Sequence, residues 1–528
     1  MMRETGDKNN KIGINIFFFF LFIYLFFMSG HMGGDSFAVY LTTESIILDG
    51  NLVLNDHPER EFGIQEMKGN YNAIKTSKEE KIYSKYQLGE VILQIPFFLI
   101  GYLITLLYNG IHSDYITMFF TSMTNCFITA LLCFVFYKLL KLFSISDKIS
   151  ILVTIALGLG TFIFPFSRQG FREPLTGLCI LIGTYYIIKY KMFYLKKYLL
   201  FAGIAIGWSC FTRIDSVYVL PPFLLYILFT GDKKRFVSKI TYFFSPIILL
   251  VIIHLIINYS ITKDFIEFGY GPGYFKNVSF SPIDILINIY GFFLSSGRSV
   301  FLYAPVTILF FLTISKFIRA YKGEGIFFLA IIIFNFFLYF SFKSYFMGGY
   351  CWGPRFQYAI IPFFLVPTIY YLQDSKIKHY IFIVLLILGI LIQLPSVLVN
   401  SSMVQHKIFE YFNNKAELCE GLPFRGIEIQ SFMPQFSPIV LGYYHIVSTI
   451  NSSIGRDSVK IPAARYWGKD KGFISFELID FWDIWFFNVF RIVKGNLIIK
   501  ILTIISIIIQ VSLIFKIGFS FKLSDSDI

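Results

Sequence analysis

The sequence predicts an all-α polytopic membrane protein of about twelve transmembrane helices, with further helices lying along the outer face in the first loop. Three observations predict it. Of the 528 residues 56% are hydrophobic and only 15% are charged, whereas soluble proteins are about 45–50% apolar and about 25% charged. The apolar residues gather in blocks of roughly 17–23, long enough to cross about 30 Å of hydrocarbon. Lys and Arg cluster in every second connection between blocks, as cytoplasmic loops do. A soluble multidomain enzyme and a disordered chain are both excluded.

Arg3, Lys8 and Lys11 precede the first block. That block is too long for a signal-peptide core and no small-residue cleavage site follows, so it reads as a first span with a cytoplasmic N-terminus. The next block, about 91–108, is set apart by its flanks. If it crossed, the following stretch Asn109 to Tyr115 would be cytoplasmic, yet it carries no Lys or Arg. Lys138, Lys141 and Lys148 would then fall outside. Reading the block as a helix lying on the outer surface removes both conflicts.

Spans then follow at about 116–137, 150–166, 174–188, 198–212, 216–230, 240–259, 300–315, 325–342, 357–372, 379–399 and 497–515. Their expected cytoplasmic connections hold Lys189 with Lys197, Lys233 with Arg235, Lys316 with Arg319, and Lys376 with Lys378. Both termini are expected in the cytoplasm. Three parts result: a transmembrane module over 1–399, whose first outer loop is 29–115; an outer-face region over 400–496; and a last helix with tail over 497–528. Irregular chain collects on the outer face, where function is expected, since loops on a rigid scaffold carry most binding and catalytic groups.

The net charge of +13 does not indicate nucleic acid, because the cations lie between apolar blocks and no soluble basic stripe interleaves with aromatics. The six Cys include no CxxC pair. Cys351 and Cys419 fall on the same expected side, which leaves one disulfide open. The seven His show no zinc spacing.

Candidate chemistry begins at Gly33-Gly34-Asp35-Ser36. Asp35 either caps the helix expected over 36–49 or serves as a general base at the outer surface. That helix puts Phe37, Tyr40, Leu41, Ile47 and Leu48 on one face, with Glu44 among them. A carboxylate there needs an ion pair or a functional role. In Tyr83-Ser84-Lys85-Tyr86-Gln87-Leu88-Gly89, Lys85 either snorkels or grips a phosphate at headgroup level. Arg168, Arg172, Arg213, Arg298 and Arg355 all fall in outer connections, where few cations are expected. The pairs Arg172–Glu173 and Arg213–Asp215 could be structural; five arginines on one face suggest a bound anion.

Taken in order, these motifs resemble those of the multi-spanning glycosyltransferases that use polyprenyl-phosphate sugars, the GT-C superfamily. The nearer likeness is to the bacterial branch related to protein O-mannosyltransferases and lipid A aminoarabinose transferases. It covers about residues 12–372. The residues are Gly34-Asp35, Lys85-Tyr86-Gln87-Leu88-Gly89 with Pro96, Phe166-Ser167-Arg168, and Glu173-Pro174. Further along come Gly203 to Arg213, Ser296-Gly297-Arg298 with Tyr303-Ala304-Pro305, and Gly348-Gly349-Tyr350-Cys351-Trp352-Gly353-Pro354-Arg355.

The resemblance implies that Asp35 is the catalytic carboxylate and that Lys85, Arg355 and Arg298 hold the donor phosphate. Glu44, Tyr83, Tyr86, Arg172 and Arg213 are supporting candidates. Protein O-mannosyltransferases carry an Asp-Glu pair where Ser36 follows Asp35 here, which speaks against protein mannosylation.

The expected activity is therefore an inverting transfer of a hexosyl or pentosyl group from a polyprenyl-phosphate donor. The acceptor would be a glycan, lipid or protein on the outer, periplasmic face of a bacterial plasma membrane. Membrane lipids are the other expected partner. No cofactor is called for; a divalent metal is compatible with the chemistry but nothing indicates one. A polysaccharide polymerase or ligase remains an alternative, with its site in later outer loops. So does a flippase or transporter of lipid-linked sugar, although ionisable groups near the bilayer midplane and two related halves, which that reading needs, are missing from the pattern.

Overall fold

The computed structural model describes residues 2–54, 73–75, 81–107, 113–230, 236–265, 278, 280–342, 348–373, 375–414, 428–462, 473–475, 481–492 and 497–521. Helix α1 (Met2–Phe27) is followed by α2 (Asp35–Leu48) and an antiparallel ribbon of β1 (Ala73–Lys75) and β2 (Ile82–Ser84). Then come α3 (Gly89–Leu107), α4 (Ser113–Lys141), α5 (Asp147–Leu159), α6 (Ile163–Phe166), α7 (Glu173–Phe193) and α8 (Lys196–Thr212). The chain continues through α9 (Leu220–Phe229), α10 (Phe236–Thr262), α11 (Pro282–Phe293), α12 (Val300–Tyr303), α13 (Phe310–Ala320) and α14 (Lys322–Phe340). After α15 (Ile361–Leu365), α16 (Ile369–Leu372) and α17 (Lys376–Leu398) come α18 (Ser401–Asn414), α19 (Glu428–Phe432) and α20 (Pro438–Ser453). A second ribbon, β3 (Lys460–Pro462) with β4 (Phe473–Ser475), precedes α21 (Trp485–Ile492) and α22 (Leu497–Ser520).

Among the described residues seven helices are long and apolar enough to cross a membrane, including Asn10–Phe27, Asp114–Lys141, Phe236–Thr262 and Leu497–Ser520. This is an integral, multi-pass membrane protein. Helix α22 leaves Ile501, Ile505 and Ile508 exposed and rests on α1, with Phe521 and Phe19 rings 5.5 Å apart. Gly89–Leu107 is also one of the seven, so charge pattern alone, not length, set it apart as a surface helix. It lies beside the first half of α4: the Phe97 and Phe127 rings are 6.1 Å apart, and Gly101 abuts the Thr117 backbone.

Several expected spans are broken rather than continuous, and proline explains the breaks. The stretch expected at 300–315 is α12, a 3-10 turn over Pro305–Leu309, and α13. That at 357–372 alternates 3-10 and α geometry, with Pro362 and Pro367 each opening a new segment. Proline suits a first helical turn but cannot continue the ladder before it. In hydrocarbon every freed carbonyl needs a partner. Fully buried Gln393 donates to the Tyr303 carbonyl at 2.8 Å, and Asn335 donates to that of Phe356 at 3.3 Å.

Close helix contact fixes the first half of the bundle. Gly203 and Gly207, four apart on α8, let α10 approach so closely that a Cβ at Gly203 would collide with the Phe243 backbone. Helix α2 differs from its expected one-faced surface helix. Residues Ala38 to Thr43 and Ser45 are all buried, because α2 packs under α3 and α4. Thr43 donates to Gln94 at 3.0 Å, and the Tyr40 and Thr117 hydroxyls meet at 2.7 Å. The hydroxyls on its covered side read as polar in sequence, yet Thr42 bonds back to the Ala38 carbonyl within the helix.

Candidate active site

Five segments converge at one end of the bundle: the start of α2, residues 81–88, the connection into α7, the turn after α8, and the loop 348–355. Gly34 sits at φ +56 just before α2, so Asp35 is the first helical residue rather than the cap. The capping expectation fails on that register. Its carboxylate accepts from Arg355 Nη2 at 3.0 Å.

Arg355 is the first link in a row of alternating charge. Its Nε donates to Glu173 Oε1 at 2.8 Å, and the same oxygen accepts from Arg213. Arg213 in turn forks onto both oxygens of Asp215, one at 3.1 Å, and Tyr339 donates to Asp215 at 2.8 Å. Glu173 opens α7, where the helix N-terminus also favours a carboxylate. Burial would raise its pKa, but Arg213 and then Arg355 outweigh this and hold it low. The Arg355 guanidinium lies 4.7 Å from the Phe171 ring and 5.3 Å from that of Phe356, which shields the row from water.

Asp35 is the reachable member. Its side chain is 27% exposed, against 5% for Glu173 and 18% for Asp215. Burial pushes its carboxyl up, and Arg355, the Tyr86 hydroxyl and Lys85 together bring it down to about 2. It is therefore ionised throughout the neutral range.

Tyr86 joins this row to two further cations, Lys85 before α3 and Arg172 before α7. Arg172 lies 4.2 Å over its ring and Lys85 5.3 Å. Arg172 also donates to Gln87 at 2.6 Å and to the Thr212 carbonyl at 3.1 Å, tying the 81–88 segment to the end of α8. On the far side of Tyr86 a cavity is lined by Lys85, Tyr83, Ser84, His254 and Asn258. Tyr83 sits in β2 opposite Ile74. Glu44 accepts from Tyr40 at 3.3 Å, about two and a half helical turns from Asp35.

Arg298 is 1% exposed and stands behind the 348–351 loop. It donates to the carbonyls of Gly349 at 2.7 Å and Cys351 at 2.8 Å, and to Gln405 at 3.2 Å. Cys351 is a free thiol, and Cys419 lies outside the described residues. Among the described residues no three His, Cys, Asp or Glu gather as a metal would need.

Arg168 belongs to a second buried cluster. It meets Asp483 at 2.9 Å and the Ser396 carbonyl at 2.9 Å, while His31 Nε2 meets the other Asp483 oxygen at 2.8 Å. Burial raises the Asp483 carboxyl, and His31 and Arg168 more than reverse that.

The fold is similar to that of ArnT from Cupriavidus metallidurans. The structure of that protein bound to undecaprenyl phosphate shares 9% identity, covers 84% of this chain and 78% of its own, and gives a TM-score of 0.48. Its apo structure shares 11% identity over 80% and 72%, with a TM-score of 0.47. No family model and no curated protein matches the chain. Likeness at this level concerns the fold and carries no residue role with it.

Sequence reasoning missed the sharing of Glu173 by two distant arginines, and it missed Asp483, His31, His254 and Asn258. For the last two a signal existed. They are polar residues four apart inside an apolar span, and such groups face a partner or cavity by default.

Proposed function

We propose that the protein is a glycosyltransferase of the GT-C superfamily, moving a sugar from a polyprenyl-phosphate donor to an acceptor at the outer face with inversion. The observation that carries this reading is the Asp35–Arg355 pair: a reachable, ionised carboxylate, one side chain away from a cavity that Lys85 helps to line. In the step, the acceptor oxygen bonds to the anomeric carbon as the carbon–oxygen bond to phosphate breaks. The bonding electrons leave on the polyprenyl phosphate, and the acceptor proton passes to Asp35. A carboxyl near 2 is a weak base towards a resting hydroxyl, but it becomes adequate as attack acidifies that hydroxyl. Lys85, facing the cavity with His254 and Asn258, and Arg355 stabilise the charge on the departing phosphate. Arg298 acts in this reading through the loop it holds.

Asp35→Asn tests it, since an amide fills the same space but takes no proton. Turnover with a polyprenyl-phosphate sugar should fall by roughly 10²–10⁴ at unchanged membrane yield and thermal stability. Near-normal turnover by a well-folded variant would overturn the assignment.

A further inference from the structure

We propose that Tyr350, His406 and Phe409 form a stacking platform for a carbohydrate acceptor, which the adjoining glycine loops admit to Asp35. The proposal rests on the glycosyl-transfer reading and names its acceptor class as a glycan. The loop that carries Tyr350 is held at four consecutive carbonyls. That of Gly348 accepts from Arg355 at 3.2 Å, that of Gly349 from Arg298 at 2.7 Å, that of Tyr350 from Ser402 at 3.0 Å. The carbonyl of Cys351 accepts from Arg298 at 2.8 Å and from Gln405 at 3.1 Å. Gly348 and Gly349 sit at φ +61 and +78, a conformation that side chains resist. Four anchored carbonyls and two left-handed glycines hold the Tyr350 backbone in one place.

Two aromatic groups from α18 complete the platform. The His406 and Phe409 rings are near parallel at 19°, their centroids 6.4 Å apart, and the Tyr350 ring stands edge-on to both, at 77° and 5.1 Å from His406 and at 69° and 5.6 Å from Phe409. The His406 side chain is 52% exposed, and Glu410 meets it at 3.2 Å, setting a carboxylate at the platform's edge. A pyranose presents apolar C–H bonds on its face and hydroxyls at its rim. The negative faces of aromatic rings suit the first and a carboxylate suits the second.

The platform adjoins the carboxylate through one guanidinium. Arg355 Nη1 holds the Gly348 carbonyl while Nη2 holds Asp35. Glycines flank both ends of that link. A Cβ built at Gly33, Gly34 or Gly349 meets no described atom within 4 Å. Among the described residues no β-strand lies beside the platform to offer an edge to a peptide. The chemistry on that side is that of a sugar ring.

The test uses the full chain in lipid nanodiscs, with N,N′-diacetylchitobiose and maltotriose as probes in saturation-transfer NMR and a glycan array for breadth. Cleavage of a polyprenyl-phosphate sugar by the wild type is followed in parallel. At least one glycan should bind, and Tyr350→Ala and His406→Ala should each weaken it by roughly five- to tenfold, the size of a lost aromatic contact. Tyr350→Phe, which keeps the ring, should bind within about twofold. The half-saturating acceptor concentration in transfer should rise in the same order, ahead of any change in that of the donor. Unaltered glycan binding by Tyr350→Ala, or no glycan bound while the wild type still cleaves donor, overturns the platform alone. Absence of donor cleavage by the wild type overturns the transfer reading beneath it.

Discussion

Arg168 and Asp483, 315 positions apart, form a buried ion pair at 2.9 Å with neither side chain more than 6% exposed. The pair ties the connection before α7 to the segment that opens α21. Asp483→Ala should leave Arg168 charged and uncompensated, at a cost of about 3–5 kcal/mol. The folded carboxyl titrates below its unfolded value, so this stability is present at neutral pH and is lost as pH falls through the folded value. Thermal unfolding in detergent should show the full gap between wild type and variant at pH 7. The gap should begin to close below about pH 4, the unfolded range of an aspartate.

Arg355→Gln removes the leading influence that lowers the Asp35 carboxyl to about 2. Its pKa should rise towards or above the ordinary value of about 3.9. The wild type should therefore show no acid limb from Asp35 between about pH 4 and 7, while residual activity of the variant should acquire one, falling with the slope of a single proton. A variant profile that stays flat down to pH 4 would separate Asp35 from Arg355.

Glu173 carries two arginines on one oxygen, so Glu173→Gln should be more damaging than Asp215→Asn. Loss of a buried charge that pairs two cations should cost about 3–5 kcal/mol. The more exposed Asp215, with Arg213 and Tyr339 as partners, should cost less. Unfolding temperatures of the two variants give the order directly.

Lys85→Ala should weaken binding of polyprenyl phosphate by roughly 1.5–3 kcal/mol, the usual worth of a hydrogen bond to a charged group. Lys85→Arg should restore part of that, because the charge remains but its geometry changes. Titration of the lipid into nanodisc-embedded protein measures both. Equal affinities for all three proteins would return Lys85 to a snorkelling residue.

The membrane class was legible because composition and block length are averages over many residues, and the candidate cations were legible because outer connections rarely carry Arg. Pairing was not. Glu173 stands beside Arg172 in sequence, yet its shared oxygen goes to Arg213 and Arg355, which only tertiary folding brings together. Asp35 illustrates a register effect: with Gly34 in the left-handed region, the helix starts one residue too early for it to cap. Broken spans were hidden because hydropathy sums side chains and ignores the backbone, whereas Pro305, Pro362 and Pro367 act on the backbone alone. The role of Gln393 follows from such a break, and no local pattern announces it.

The span of 320 positions between Asp35 and Arg355 also sets an order in time. At roughly 5–20 residues per second, a ribosome that has finished Asp35 needs about 16–64 s to reach Arg355. Through that interval the nascent carboxyl lacks its guanidinium, and Glu173 and Arg213 await the same third partner. The pair thus closes only after five of the seven long apolar helices have been made, while the Arg168–Asp483 pair must wait for a further 128 residues. A chain that stalls before position 355 is released with its first helices in place and Asp35 without its guanidinium.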